Sequence, residues 1–195
     1  ILAACGNESP LRLQNSYLGN QEIDHVARSV FHDRYGHYEE GPFRTIYGND
    51  ETVFEAAGFE IPTISVTRYP FPQYHSNEDL PDRLSEYHLD DTVDTIFEIC
   101  KRFDEGKRVL FTERGLICLS DPRYQLYSPA WNPALRHGPK DRETKRNWNL
   151  LMTNLPRLMD GKISVQSIST LYHLPETEVY AYCKLWIDRG LAQEI

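Results

Sequence analysis

The chain has 195 residues, a formal net charge of −8, and 40% hydrophobic, 12% aromatic and 26% charged residues. That length can bury a core in one or two domains. No apolar run approaches the ~20 residues of a membrane-spanning helix, and the N-terminus carries no signal-peptide pattern.

The sequence opens on ILAACGN, an apolar run with no initiating methionine. This suggests a processed N-terminus or the C-terminal piece of something larger. ILAAC reads as a short buried strand and GNESP as a turn. NQEIDHVARSVFHD reads as a helix with Ile23, Val26, Ala27 and Val30 on one face. In FRTIYGNDETVFEAAGFEIPTISVTRYPF, a strand is expected to end at Gly48–Asn49. A brief helix or turn follows from Asp50 to Ala57, Gly58 caps it, and IPTISVT forms a β-branched buried strand. DDTVDTIFEICKRFDEG is a well-marked helix, with Asp90 or Asp91 as cap and Gly106 as its end. Val93, Ile96, Phe97, Cys100 and Phe103 recur on it at helical spacing. Alternating strands and helices are α/β grammar, and so few strands resemble the trailing half of a larger sheet.

KRVLFTERGLICLSDPRYQLY offers short strand candidates, RVLF, LICL and YQLY, split by turns. From residue 142 the pattern is helical: RETKRNWNLLMTNLPRLMDG up to Pro156, then SVQSISTLYHL, then PETEVYAYCKLWIDRG, with LAQEI as a terminal strand. Pro175 stands in the first turn of its helix, where a missing N–H costs nothing. Val179, Tyr182 or Cys183, and Trp186 form its apolar stripe. Helix, short turn, helix and strand is winged-helix grammar. DNA reading is disfavoured, because Glu176 and Glu178 lie at the helix end that would face phosphates.

Charge divides the chain. Residues 1–135 carry 12 basic and 22 acidic side chains, and residues 136–195 carry 9 and 7. With the Pro/Gly-containing run SPAWNPALRHGPKD, this indicates a domain boundary. The expected organisation is an α/β portion at 1–104, a connecting segment with short strands at 105–135, and a winged-helix-like domain at 136–195. Cys5, Cys100, Cys118 and Cys183 lie far apart with no CxxC pair. That sets aside a cysteine zinc knuckle and a disulfide scaffold, and fits free thiols in a reducing compartment, the cytoplasm.

Among chemistry-bearing residues His75 stands out, directly after the stiff run RYPFPQY and just beyond a buried strand. Ligand-bearing loops of α/β folds cluster there; a surface-turn histidine is the competing explanation. Asp79 could accept from the far imidazole nitrogen and fix its tautomer. Asp50 and Glu51 form a second acidic element, readable as ordinary helix capping or, with His75, as a metal or amine site. Glu55 lies one turn beyond Glu51. FHDRYGHYEE groups His32, Asp33 and His37 with two glutamates, but lacks the HExxH spacing that puts two ligands on one helix face. His25 reads as packing, and His88, His137 and His173 as surface or turn residues. The chain has no GxSxG, glycine-rich phosphate loop or CxxC, which disfavours serine hydrolase, NTPase and thiol redox chemistry.

YGNDETVFEAAGFEIPTISVTRYPFPQYHSNEDL resembles the C-terminal part of bacterial zinc aminopeptidases of the co-catalytic-zinc exopeptidase class (M28-like, DUF4910 subgroup). In that subgroup a winged-helix domain follows the peptidase domain, and FTERGL and MDGKISVQSIS…LPETEV are similar to its connecting region and appended domain. The resemblance implies the trailing half of a phosphorylase/hydrolase-like zinc exopeptidase fold. It implies one or two zinc ions, a peptide or aminoacyl-amide substrate and a homo-oligomer. His75 matches the last zinc ligand, Asp50 the acid of the Asn/Ser-Asp motif, and Asp79 the aspartate closing the Tyr-His-Ser motif that contains Tyr74. Asp50 or Glu51 would hold the substrate ammonium group. ILAACGN resembles the strand on which relatives place an aspartate ligand, but Ala3, Ala4 and Cys5 stand there, so that ligand is absent or moved, or is replaced by Cys5. No catalytic residue is expected in this chain, because the remaining ligands and the general-base glutamate belong upstream, in an N-terminal half that would have to be supplied. The alternatives are a non-catalytic fragment or degenerate homologue serving protein–protein association, and, less favoured, a DNA-binding winged-helix protein.

Overall fold

The structure, a computed structural model, describes residues 1–127 and 142–195. The boundary run SPAWNPALRHGPKD and His137 therefore lie outside the described residues. The chain forms two compact units, Ile1–Glu105 and Gly106–Ile195. Among the described residues no helix is long and apolar enough to cross a membrane.

The first unit is a four-stranded sheet with two long helices. Its strands are β1 (Leu2–Ala3), β2 (Leu11–Gln14), β3 (Glu39–Gly41) and β4 (Ser65–Arg68), in the order β1-β4-β2-β3. β1 runs parallel to β4 and β3 parallel to β2, but β2 is antiparallel to β4. The sheet is thus mixed, with a strand, β2, that the sequence pattern did not single out. Alternation explains its burial. Leu13 pairs with Val66 in register, and both face the core that α1 (Glu22–Tyr35) fills with Val26, Ala27, Val30 and Phe31. Arg12 and Gln14 point to the other face, where Arg12 pairs with Glu39 at 2.8 Å.

β1 is not buried, with Leu2 48% exposed. The short helix after Asp50 is capped at Glu55 and not at Gly58, and β4 takes only Ser65–Thr67 of IPTISVT. Two further expectations fail in this unit. No strand ends at Gly48–Asn49; residues 42–50 form a turn-rich loop. Its Ile46 and Tyr47 N–H groups donate to the Gln14 side-chain carbonyl at 3.0 and 3.2 Å, so they are not offered to a strand ladder. The short helix α2 (Glu51–Phe54) follows. The second concerns α3 (Glu86–Glu105). It begins before Asp90, with Ser85 Oγ accepting the His88 N–H at 3.4 Å, and Asp91 lies inside the helix. Its buried residues are Thr92, Thr95 and Ile99. Of the apolar residues at helical spacing, Ile96 packs against the core, but Val93 and Phe97 point outward, 63% and 69% exposed. The threonines win the inner face because α3 packs there on Arg68, Tyr35 and the Cys5 carbonyl, which need hydroxyl partners.

The second unit has a three-stranded antiparallel sheet, order β6-β5-β7, from β5 (Arg108–Phe111), β6 (Asp160–Ser164) and β7 (Ala192–Glu194). β5 comes from RVLF, while LICL and YQLY form no strand and are mostly irregular. Helices α4 (Arg142–Leu158), α5 (Val165–Leu171) and α6 (Glu176–Asp188) surround a core of Trp148, Leu151, Leu155, Ile168, Val179 and Trp186. α4 runs through Pro156, which lies in its last turn, where the missing N–H removes the helical donor of one carbonyl, that of Met152. Tyr182 is buried between Trp148 and Trp186, edge to face with both, and donates to the Leu126 carbonyl at 2.9 Å. Burial pushes its phenol up to about 12.

Candidate functional site

β1 and β4 are parallel neighbours, so their carboxyl ends open on the same edge of the sheet. Beyond β1 come Ala4, at φ 50, and Cys5. Beyond β4 the chain passes a cis Tyr69–Pro70 peptide into the loop that carries His75. A polar clamp fixes these two ends together. The buried Arg68 guanidinium donates to the carbonyls of Cys5 at 3.0 Å, Ser9 at 2.9 Å and His88 at 3.3 Å, and to Asp91 at 2.6 Å. Asn7, 4% exposed, donates in turn to the carbonyls of Ala4 and Arg68 at 2.8 and 2.9 Å. Ser9 Oγ donates to the Pro70 carbonyl.

The loop itself is a chain of tight turns. The Tyr74 N–H donates to the Phe71 carbonyl at 3.1 Å, and the Ser76 N–H and hydroxyl both donate to the Gln73 carbonyl, at 3.0 and 2.6 Å. His75 is exposed and adopts φ 62, the left-handed region that few side chains enter. Its ring stacks on Tyr74, centroids 4.0 Å apart. Tyr74 lies in turn near Phe71 and Tyr47, at 6.4 and 6.1 Å. The neighbouring Tyr74 hydroxyl, with burial, pushes the Tyr47 phenol up to about 12. Asn7, Glu8, Ser9, Phe71, Gln73 and Arg83 help line an adjoining cleft of about 300 Å³.

Apart from Tyr74, no candidate residue makes a hydrogen bond, ion pair or ring contact with His75 among the described residues. Asp79 is exposed, and its N–H closes a turn on the Ser76 carbonyl at 3.3 Å. No hydrogen bond joins its carboxylate to His75 among the described residues. Asp50 is exposed and makes no side-chain cap, whereas Glu51 is completely buried. The Glu51 carboxylate accepts the Asn49 N–H at 2.9 and 3.0 Å and the Ser65 hydroxyl at 3.5 Å, with Arg44 at 3.6 Å. It therefore sits by Ser65 at the amino end of β4, pinning the 42–50 loop. Glu55 accepts the N–H groups of Tyr17 and Thr63 at 3.0 and 2.8 Å.

His32 and Asp33 lie in the last turns of α1, 3.6 Å apart, and Asp33 is held by Arg102 at 2.7 Å. That hydrogen bond is the main reason its carboxyl titrates below the usual range. His37 is exposed and follows α1. Cys5 is half-buried, and burial pushes its thiol up despite Arg68 nearby, which works against a thiolate. No three His, Cys, Asp or Glu side chains converge as a metal site among the described residues. Arg68 and Asn7 are not among the residues that sequence pattern singles out. An arginine after an apolar run, and an asparagine in a turn, carry no pattern that reveals their long-range partners.

The fold is shared with a solved structure. The crystal structure of a "putative peptidase" from Clostridium acetobutylicum matches over 100% of this chain and 41% of its own, with a TM-score of 0.57 and 19% sequence identity. This chain thus spans less than half the length of that relative, and at such identity the likeness is one of fold. No curated protein matches the sequence. Residues 1–106 match the family described as Domain of unknown function (DUF4910), and with more than half of its length inside that match the chain belongs to this family.

Proposed function

We propose that the chain is the C-terminal portion of a zinc-dependent aminopeptidase, or of a related amide hydrolase on the same scaffold, acting on peptides or aminoacyl amides. The observation that carries this reading is the paired carboxyl ends of β1 and β4, clamped by Arg68 and Asn7, with His75 on the loop above them. Ligand sites of α/β sheets form at such ends. The fold shared with the Clostridium acetobutylicum protein supports a peptidase-type reaction. His75 would be the last ligand of a zinc site, and Asp50, exposed and uncommitted to capping, the better candidate for a substrate ammonium group than buried Glu51.

The residues present do not make that site by themselves. A catalytic zinc takes about three protein ligands and an open position, and among the described residues His75 has no companions of that kind. The other ligands and the general-base glutamate would come from an upstream part of the protein. A second reading, a non-catalytic descendant kept for association, is favoured by Ala3, Ala4 and Cys5 where relatives carry a carboxylate ligand. For the second unit, the three-stranded antiparallel sheet with α4, α5 and α6 supports a winged-helix domain. Glu176 and Glu178 in the first turn of α6 oppose phosphate contact and favour a protein partner.

Metal content and aminoacyl-anilide hydrolysis, measured on the protein with its upstream part and on these 195 residues, test the proposal. The longer protein should hold zinc and turn over, and the shorter neither. Zinc-dependent turnover by the 195 residues alone, or an inactive and metal-free longer protein, would sink it.

A further inference from the structure

α3 presents an apolar stripe that the described residues leave uncovered. Val93 and Phe97 are 63% and 69% exposed, and Cys100 is exposed beside them. Their spacing, four residues then three, is that of successive core positions in a two-helix seam. Phe97, Cys100 and Lys101 also line a groove of about 530 Å³ bounded by Ile23 of α1. Along one flank of the stripe run Asp94 and Lys101, one heptad apart, and neither has an ion-pair partner among the described residues. Asp90 and Asp104, seven residues to either side of Phe97, end the stripe.

We propose that this stripe is the seam of a homodimer, with α3 packed antiparallel on α3 of a second copy across a two-fold axis. Charge selects both the occupant and the orientation. In an antiparallel pair the flank carrying Asp94 and Lys101 meets itself in reverse order. Asp94 then faces Lys101 of the second copy, and Lys101 faces its Asp94, so one geometry makes two attractive pairs. A parallel pair sets the same charges against the opposite, apolar flank that carries Ile96, with no partner for either. In the antiparallel packing Phe97 covers Cys100 of the second copy, and the seam is about two helical turns long. The inference is independent of the peptidase reading, since it concerns the face of α3 away from the sheet.

Sedimentation equilibrium of the full chain, under reducing conditions over a concentration series, tests it. A monomer–dimer equilibrium is expected, and Phe97→Glu should abolish the dimer. Asp94→Lys and Lys101→Asp should each weaken it by about tenfold, since each change turns two attractive pairs repulsive. The double swap should restore the original constant. All three positions are exposed, so thermal melts of the variants should match the parent and exclude misfolding. A chain that stays monomeric throughout, or a double swap no better than either single change, overturns the proposal and leaves the stripe to a different partner.

Discussion

The Arg68 guanidinium and the Asp91 carboxylate meet at 2.6 Å, tying the end of β4 to the second turn of α3. Asp91 also takes hydrogen bonds from Arg34 at 3.1 Å and from the Tyr35 hydroxyl at 3.0 Å, so α1, α3 and the sheet converge on one carboxylate. The Arg68 side chain is only 5% exposed. Removing its partner leaves a buried cation with neutral acceptors alone, three backbone carbonyls and the Thr92 hydroxyl, and Asp91→Ala should cost about 3 kcal/mol in chemical denaturation.

The same carboxylate sets an acid dependence. Burial acts to raise its pKa, but hydrogen bonds from Arg34, Tyr35 and Arg68 outweigh it, and the net direction is down. A depressed folded-state pKa contributes stability above the unfolded value, about 3.9, that is lost as pH falls through the folded value. Melting temperatures of the parent and of Asp91→Asn should therefore differ most at neutral pH and converge below about pH 4.

Glu51 and Asp50 are adjacent, yet should behave differently. Glu51→Ala removes the buried acceptor of Asn49 and Ser65 and should cost about 2 kcal/mol by thermal or urea unfolding. Asp50→Ala should stay within about 0.5 kcal/mol. In the catalytically complete protein, Asp50→Ala should raise KM for substrates with a free amine. An Asp50 variant that unfolds readily would mark that residue as structural instead.

His75 can be separated into backbone and side-chain roles. His75→Ala should abolish hydrolysis in the complete protein while leaving the melting temperature nearly unchanged. His75→Gly should be equally inactive, yet more stable by about 1 kcal/mol, because glycine enters the left-handed region at no steric cost. Activity surviving in either variant would remove His75 from the ligand set.

In the second unit, Tyr182→Phe deletes the hydrogen bond to the Leu126 carbonyl and should cost about 1 kcal/mol. Trp186→Ala opens a cavity at a fully buried position and should cost about 4 kcal/mol. Fluorescence anisotropy should show no salt-sensitive association of the chain with duplex DNA.

Local pattern made much of the architecture legible. The helix over Ile23, Val26, Ala27 and Val30, the β-branched strand at 65–68 and the helical C-terminal region follow from apolar periodicity, which depends on neighbours three, four or two residues away. β2 escaped because four residues, two of them Arg12 and Gln14, hold too little pattern to stand out. The expected strand before Gly48 failed for a related reason. Its N–H groups go to the side chain of Gln14, more than thirty residues away.

By itself the sequence determined that α3 is a helix, that it is two-faced, and that His75 follows a strand on a constrained loop. Which face of α3 turns inward was decided only in the tertiary structure. Arg68 and Tyr35 bring buried polar groups that Thr92 and Thr95 can satisfy and Val93 and Phe97 cannot, so hydrogen-bonding need outranks apolarity there. That Glu51 is buried while its neighbour Asp50 is exposed was likewise invisible in sequence, because it depends on Asn49, Ser65 and Arg44 closing around one carboxylate.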